Sequence, residues 1–146
     1  MEIKIMTEEH VDGVGEIEQL CFSQPWSKNS LMMLTKEGAV ACVALEDGRV
    51  AAYGGMMTVL DEGQITNIAT HPDFRRRGYA RAVTEALSQL GRERGLEGIY
   101  LEVRRSNQAA ISLYHTCGYT VIGERRGFYS NPTEDALLMK KALGEE

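Results

Sequence analysis

The chain has 146 residues, 43% of them hydrophobic and 25% charged, and its 16 Lys and Arg against 21 Asp and Glu give a formal net charge of −5. That length and balance fit one globular domain able to bury about two-thirds of its unfolded surface, and they exclude disordered and collagen-like chains. The acidic total argues against nucleic-acid binding and suits a basic peptide partner; with no leader pattern and no apolar run near the roughly 18 residues of a membrane span, a cytoplasmic protein with no membrane partner is expected.

In chain order, residues 3–6 predict a first strand. Thr7 then offers an N-cap to a helix whose apolar positions Val11, Val14, Ile17 and Cys21 recur at helical spacing, although Gly13 and Gly15 weaken it. The segment 22–27 breaks that helix, and Ser27 is placed to cap a short second one through Leu31 and Leu34. Trp26, in the break, reads either as a core anchor or as a substrate contact. Short apolar strands follow at 40–46, 49–59 and 64–70, antiparallel to one another. Asp47-Gly48 gives a type I′ hairpin signal, and Asp61-Glu62-Gly63 closes the next connection.

Between Arg75 and Ala80 the sequence reads Arg-Arg-Arg-Gly-Tyr-Ala, after an apolar stretch and before a helix with Ala80, Val83, Leu87 and Leu90 on one face and Gly95 at its end. Strand, glycine turn and helix in that order leave unpaired N–H groups at a helix start, where the macrodipole also favours negative charge. The loop is therefore either a cradle for a pyrophosphate or a solvated basic turn. Residues 99–104 then alternate, Ile99, Leu101 and Val103 against Tyr100, Glu102 and Arg104. Ser106 or Asn107 caps a helix carrying Ala110, Leu113, Tyr114 and Cys117, which Gly118 ends. Strands at 119–123 and 135–140 complete one α/β domain over residues 1–146. Cys21, Cys42 and Cys117 lack metal-ligand spacing, so reduced thiols and no metal site are expected.

Four segments, taken in order, resemble the GNAT acetyl-CoA-dependent N-acetyltransferases: Asn67-Ile68-Ala69-Thr70, the arginine loop, Leu101-Glu102-Val103-Arg104 with Ser106-Asn107, and Ala109 to Tyr114 ending in Cys117-Gly118-Tyr119. More narrowly, Cys21 to Ser27, Asp61 to Thr70 and Glu134-Asp135-Ala136 resemble the RimI branch, the ribosomal-protein N-terminal alanine acetyltransferases. The chain departs from that branch at Thr70, His71 and Phe128-Tyr129. The resemblance implies a mixed, mostly antiparallel sheet flanked by helices, with its fourth and fifth strands splayed. It also implies that Ile68, Ala69 and Thr70 lend backbone groups to the pantetheine arm of acetyl-CoA, that Arg76, Arg77, Gly78, Tyr79, Ala80 and Arg81 wrap its pyrophosphate, and that Asn107 touches it as well.

Acyl transfer from a thioester to an amine needs a base, an oxyanion donor and a proton for the departing thiolate. By resemblance Glu102 is the base and Tyr114 the acid, with a backbone N–H near Ala69 as the oxyanion donor. From the residues alone, Glu102 reads sooner as a strand carboxylate paired with an arginine such as Arg104, which the surrounding family segment reverses, and Tyr114 also reads as a core aromatic. Glu62 is a rival base, and Cys117 is a conceivable nucleophile. The acceptor implied is the N-terminal alanine of a small-subunit ribosomal protein, with Glu134, Asp135 and the Trp26 loop along its path. The alternatives are acetylation of a small amine such as a polyamine, or a non-catalytic acetyl-CoA sensor.

Overall fold

In the computed structural model, which describes residues 1–144, the elements run β1 (Glu2–Ile5), α1 (Val11–Cys21), α2 (Lys28–Met32), β2 (Ala39–Glu46), β3 (Arg49–Val59), β4 (Glu62–Thr70), α3 (Tyr79–Glu93), β5 (Gly98–Arg104), α4 (Gln108–Thr116), β6 (Thr120–Tyr129) and β7 (Glu134–Ala142). The alternation of β2 sets the layers. Val40, Cys42 and Ala44 point into one core with Val83 and Leu87 of α3, while Ala39, Ala41 and Val43 point into a second with Val14 and Ile17 of α1 and Leu31 of α2. A strand apolar on both faces needs cover on both, and the helices that were legible as amphipathic stripes provide it.

One seven-stranded sheet has the order β1-β2-β3-β4-β5-β7-β6, antiparallel throughout except for β4 against β5. Its first hairpin has positive φ at both Asp47 and Gly48 (52° and 80°), as a type I′ turn requires. The second is tighter than its sequence suggests. Val59 pairs with Glu62, so the turn is Leu60-Asp61, and Glu62 and Gly63 already belong to β4. Gly63 serves a close approach rather than a turn, because a Cβ there would lie 2.8 Å from Met56 Sδ. Both closing strands are also longer than expected. The exposed Glu124 and Arg125 pair with Leu137 and Ala136 of β7, and after an irregularity in register the ladder resumes at Tyr129↔Glu134, so the strand continues.

The parallel pair is short. Only Glu62↔Gly98, Gly63↔Ile99 and Gln64↔Tyr100 match, after which β4 and β5 separate, as expected for the fourth and fifth strands. A bulge marks the point of parting: on β3, Gly55 pairs with Asn67 and Met56 with Ile65, leaving Thr66 as the extra residue. The inserted residue restores Ile68 to the α3 face that Ile65 already occupies, and turns Asn67 toward α1 beside Ala69. Past the bulge, one backbone edge of β4 has no strand partner among the described residues.

Candidate active site

Two cavities open where β4 and β5 part, of about 440 Å³ and about 530 Å³, and Phe22, Ile68, Ala110 and Tyr114 line both. The smaller is walled by Ile68, Ala69 and Thr70 at the free edge of β4, and by Arg75, Arg76, Gly78, Tyr79, Ala80 and Arg81 at the start of α3. Gly78 is the N-cap at φ +84°, and no side chain caps the helix. The N–H groups of the first turn are thus left for a ligand, where the dipole favours an anion. A Cβ at Gly78 would meet nothing within 4 Å, so the glycine answers to backbone conformation and not to space. Arg76 also takes a positive φ, 65°.

The remaining cofactor candidates divide. Tyr79 is 5% exposed; its hydroxyl donates to Glu46 Oε1 at 2.6 Å and its ring meets Phe74 edge-on, so its side chain is largely a core group. Arg77 lies outside the cavity lining, its guanidinium 5.6 Å from the Phe74 ring centre. Asn107 lines the larger cavity, where its side chain caps α4 by accepting from Ala110 N at 3.1 Å. Arg75, the first arginine of the loop, lines the smaller cavity and reaches Cys21 Sγ at 3.4 Å.

The larger cavity holds Glu102 on β5 and Tyr114 on α4. Glu102 Oε2 lies 3.4 Å from Arg125 Nε of β6; the expected arginine, Arg104, is engaged elsewhere. Arg104 donates to Ser130 O, Pro132 O and Glu134 Oε1 at 3.0–3.1 Å and lies over the Tyr129 ring, bracing the β6–β7 connection. Glu134 Oε2 also accepts from Ser106 N at 2.7 Å. Hydrogen bonding at Ser106, with help from Arg104, holds the Glu134 carboxyl below its ordinary range. Asp135 Oδ1 accepts from Gly127 N at 2.9 Å. Neither acid lines the cavity, and both brace its wall through these bonds.

Tyr114 is both a core aromatic and a cavity residue. Its ring packs against the core, 5.9 Å from that of Tyr119, and it borders both cavities. Burial pushes its phenol up to about 12. Trp26 likewise packs against the second core and lines the larger cavity. Glu62 is at the closed end of the parting, paired with Gly98, and lines neither cavity. Cys117 is 4% exposed and lines neither as well, with burial raising its thiol.

One residue was missed. Glu18 of α1 is 1% exposed and lines the larger cavity. Its carboxylate accepts from Trp26 N at 2.8 Å, from Asn67 Nδ2 at 3.3 Å and from the Tyr53 hydroxyl. The signal was present, since Glu18 stands four residues after Val14 and seven after Val11 and so falls on the apolar stripe.

The model of the acetyltransferase (GNAT) family matches residues 8–119. A putative ribosomal protein bS18-alanine N-acetyltransferase of Bacillus subtilis is 35% identical over 145 residues, 98% of this chain and 96% of the relative. The ribosomal protein bS18-alanine N-acetyltransferase of Salmonella typhimurium is 36% identical over 139 residues, 94% of each chain. Among solved structures, the ribosomal-protein-S18-alanine N-acetyltransferase of Escherichia coli superposes with a TM-score of 0.91 at 32% identity, covering 99% of this chain and 95% of the other.

Proposed function

This chain belongs to the acetyltransferase (GNAT) family and is an acetyl-CoA-dependent N-acetyltransferase; we propose that its acceptor is the α-amine of a protein N-terminus, the N-terminal alanine of a small-subunit ribosomal protein. The acceptor reading is supported by the relatives, and the observation that carries acetyl transfer itself is the parting of β4 and β5, which sets an unpaired main-chain edge beside an uncapped, arginine-flanked helix start and joins that cavity to a second one at Tyr114. In this reading the first-turn N–H groups of α3 and Arg76 hold the pyrophosphate, and the edge at Ile68 to Thr70 takes the pantetheine amides as an added strand would. Glu102 receives the amine proton directly or through one water, and Tyr114 holds the proton that the departing thiolate needs. An N–H near Ala69 polarises the thioester carbonyl, a donor worth about 3 kcal/mol in comparable sites. An acceptor that is part of a ribosomal protein implies a cytoplasmic enzyme.

An α-amine suits this machinery better than a lysine or polyamine amine. With reference pKa values near 7.8 and 10.4, it is neutral roughly 400 times more often at pH 7, so one carboxylate suffices as the base. In initial-rate assays at equal concentration, a peptide beginning with alanine and a basic residue is expected to outpace spermidine by about 10-fold or more. Faster transfer to spermidine would assign the chain to small-amine acetylation, and no transfer to any acceptor would favour a sensor.

A further inference from the structure

Asn67 stands immediately after the β4 bulge, is 8% exposed, and lines the 530 Å³ cavity but not the 440 Å³ one. Its Nδ2 donates to Glu18 Oε2 at 3.3 Å, and this bond fixes the amide's orientation, because turning it over would set Oδ1 against a carboxylate. In that orientation Oδ1 has no hydrogen-bond partner among the described residues. A buried carbonyl oxygen left unpaired is costly, and an entering N–H removes the cost. Glu18 cannot turn to another task, since Trp26 N and the Tyr53 hydroxyl hold it as well.

Resting on the N-acetyltransferase reading above, we propose that Asn67 determines acceptor specificity: its Oδ1 accepts a hydrogen bond from an N–H at the amino end of the incoming peptide. Glu18 is the positioning residue that keeps the amide this way round. The bond helps choose the acceptor because a group without an N–H at that point leaves Oδ1 buried and unpaired, and sites built to pair a polar group reject partners that lack it. Since Glu18 also holds Trp26 N, the same carboxylate fixes both the recognition oxygen and the cavity wall beside it. Binding of acetyl-CoA is left untouched, for Asn67 does not line its cavity.

Steady-state kinetics with an alanine-initiated peptide test this. Asn67→Leu is expected to raise the peptide KM about 10-fold or more, with the acetyl-CoA KM and the acetyl-CoA-induced rise in Tm within about 2-fold of wild type. Glu18→Gln replaces one accepting oxygen with a donor, so the Asn67 amide turns over and presents Nδ2. A comparable rise in peptide KM is expected, and the double variant adds little to either single change. Asn67→Ala replaces Asn67→Leu if the bulkier variant melts early. A peptide N-methylated at its second residue separates the two possible donors. If the first amide is the donor, wild type shows the raised KM with this peptide and Asn67→Leu adds nothing; if the α-amine is the donor, the variant still raises it. Peptide KM values within about 2-fold of wild type in both single variants, or an equal rise in the acetyl-CoA KM, overturn the proposal. If wild type acetylates no free N-terminus, the N-terminal acceptor reading fails and this inference falls with it.

Discussion

Replacing Tyr114 by phenylalanine is expected to lower kcat by about 100-fold or more while acetyl-CoA affinity changes by less than about 2-fold, because only a transferable proton is removed. The ring that packs near Tyr119 is kept, and the Tyr114 hydroxyl has no hydrogen bond among the described residues, so Tm should move little. The pH dependence follows from burial. With burial pushing its pKa up to about 12, the phenol stays largely protonated at pH 10, so the acid should not be lost anywhere in the working range. Such a phenol looks a poor donor to a thiolate of ordinary pKa near 8.5. A thiolate formed beside this half-buried ring loses part of its solvation as well, which raises its own proton affinity and narrows the gap. Rates of wild type and variant across pH 6 to 10 check this. Undiminished turnover in the variant would return Tyr114 to the core alone, and a fall in wild-type rate centred near pH 10 would contradict the buried phenol.

Glu102→Gln should cost about 100-fold or more in kcat/KM near pH 6.5, with a smaller loss near pH 9. Below about pH 7.8 an N-terminal amine is mostly ammonium and depends on a base, whereas above it the neutral amine is already abundant. The loss should therefore shrink as pH rises. A loss that is flat across this range would leave Glu102 as an electrostatic or packing group paired with Arg125. A larger loss on Glu62→Gln would transfer the role to Glu62, although that carboxylate lies where β4 and β5 are still paired.

What could be read from sequence was local. The Asp47-Gly48 hairpin, the amphipathic face of α3, the Ser27 and Asn107 caps and the alternation that sends Glu102 away from Leu101 and Val103 each depend on residues close together in the chain, and each is present. The arginine loop was legible for the same reason, since strand, glycine and helix in succession dictate where unpaired N–H groups will fall. Features made by distant pairing were not legible. Periodicity does not specify that β7 inserts between β5 and β6, and that insertion brings Arg125 to Glu102 and Glu134 to Arg104. The bulge at Thr66 hides the shared face of Ile65 and Ile68, which stand three residues apart and would otherwise point to opposite sides of the strand. Asn67 looked like one residue of a family segment until α1 brought Glu18 against it. Asn107 lines the larger cavity and Arg77 neither, for a motif gives the order of residues but not the cavity each one faces.

The central claim, transfer of an acetyl group to a protein N-terminus, is tested most directly by locating that group on a peptide that offers both kinds of amine. A peptide beginning with alanine and a basic residue and carrying an internal lysine is incubated with acetyl-CoA and the protein, and fragment-ion mass spectrometry reads the modified position. One acetyl group on the α-amine is expected, and none on the same peptide when its N-terminus is already blocked. Acetylation of the lysine, or modification of the blocked peptide, would contradict N-terminal transfer.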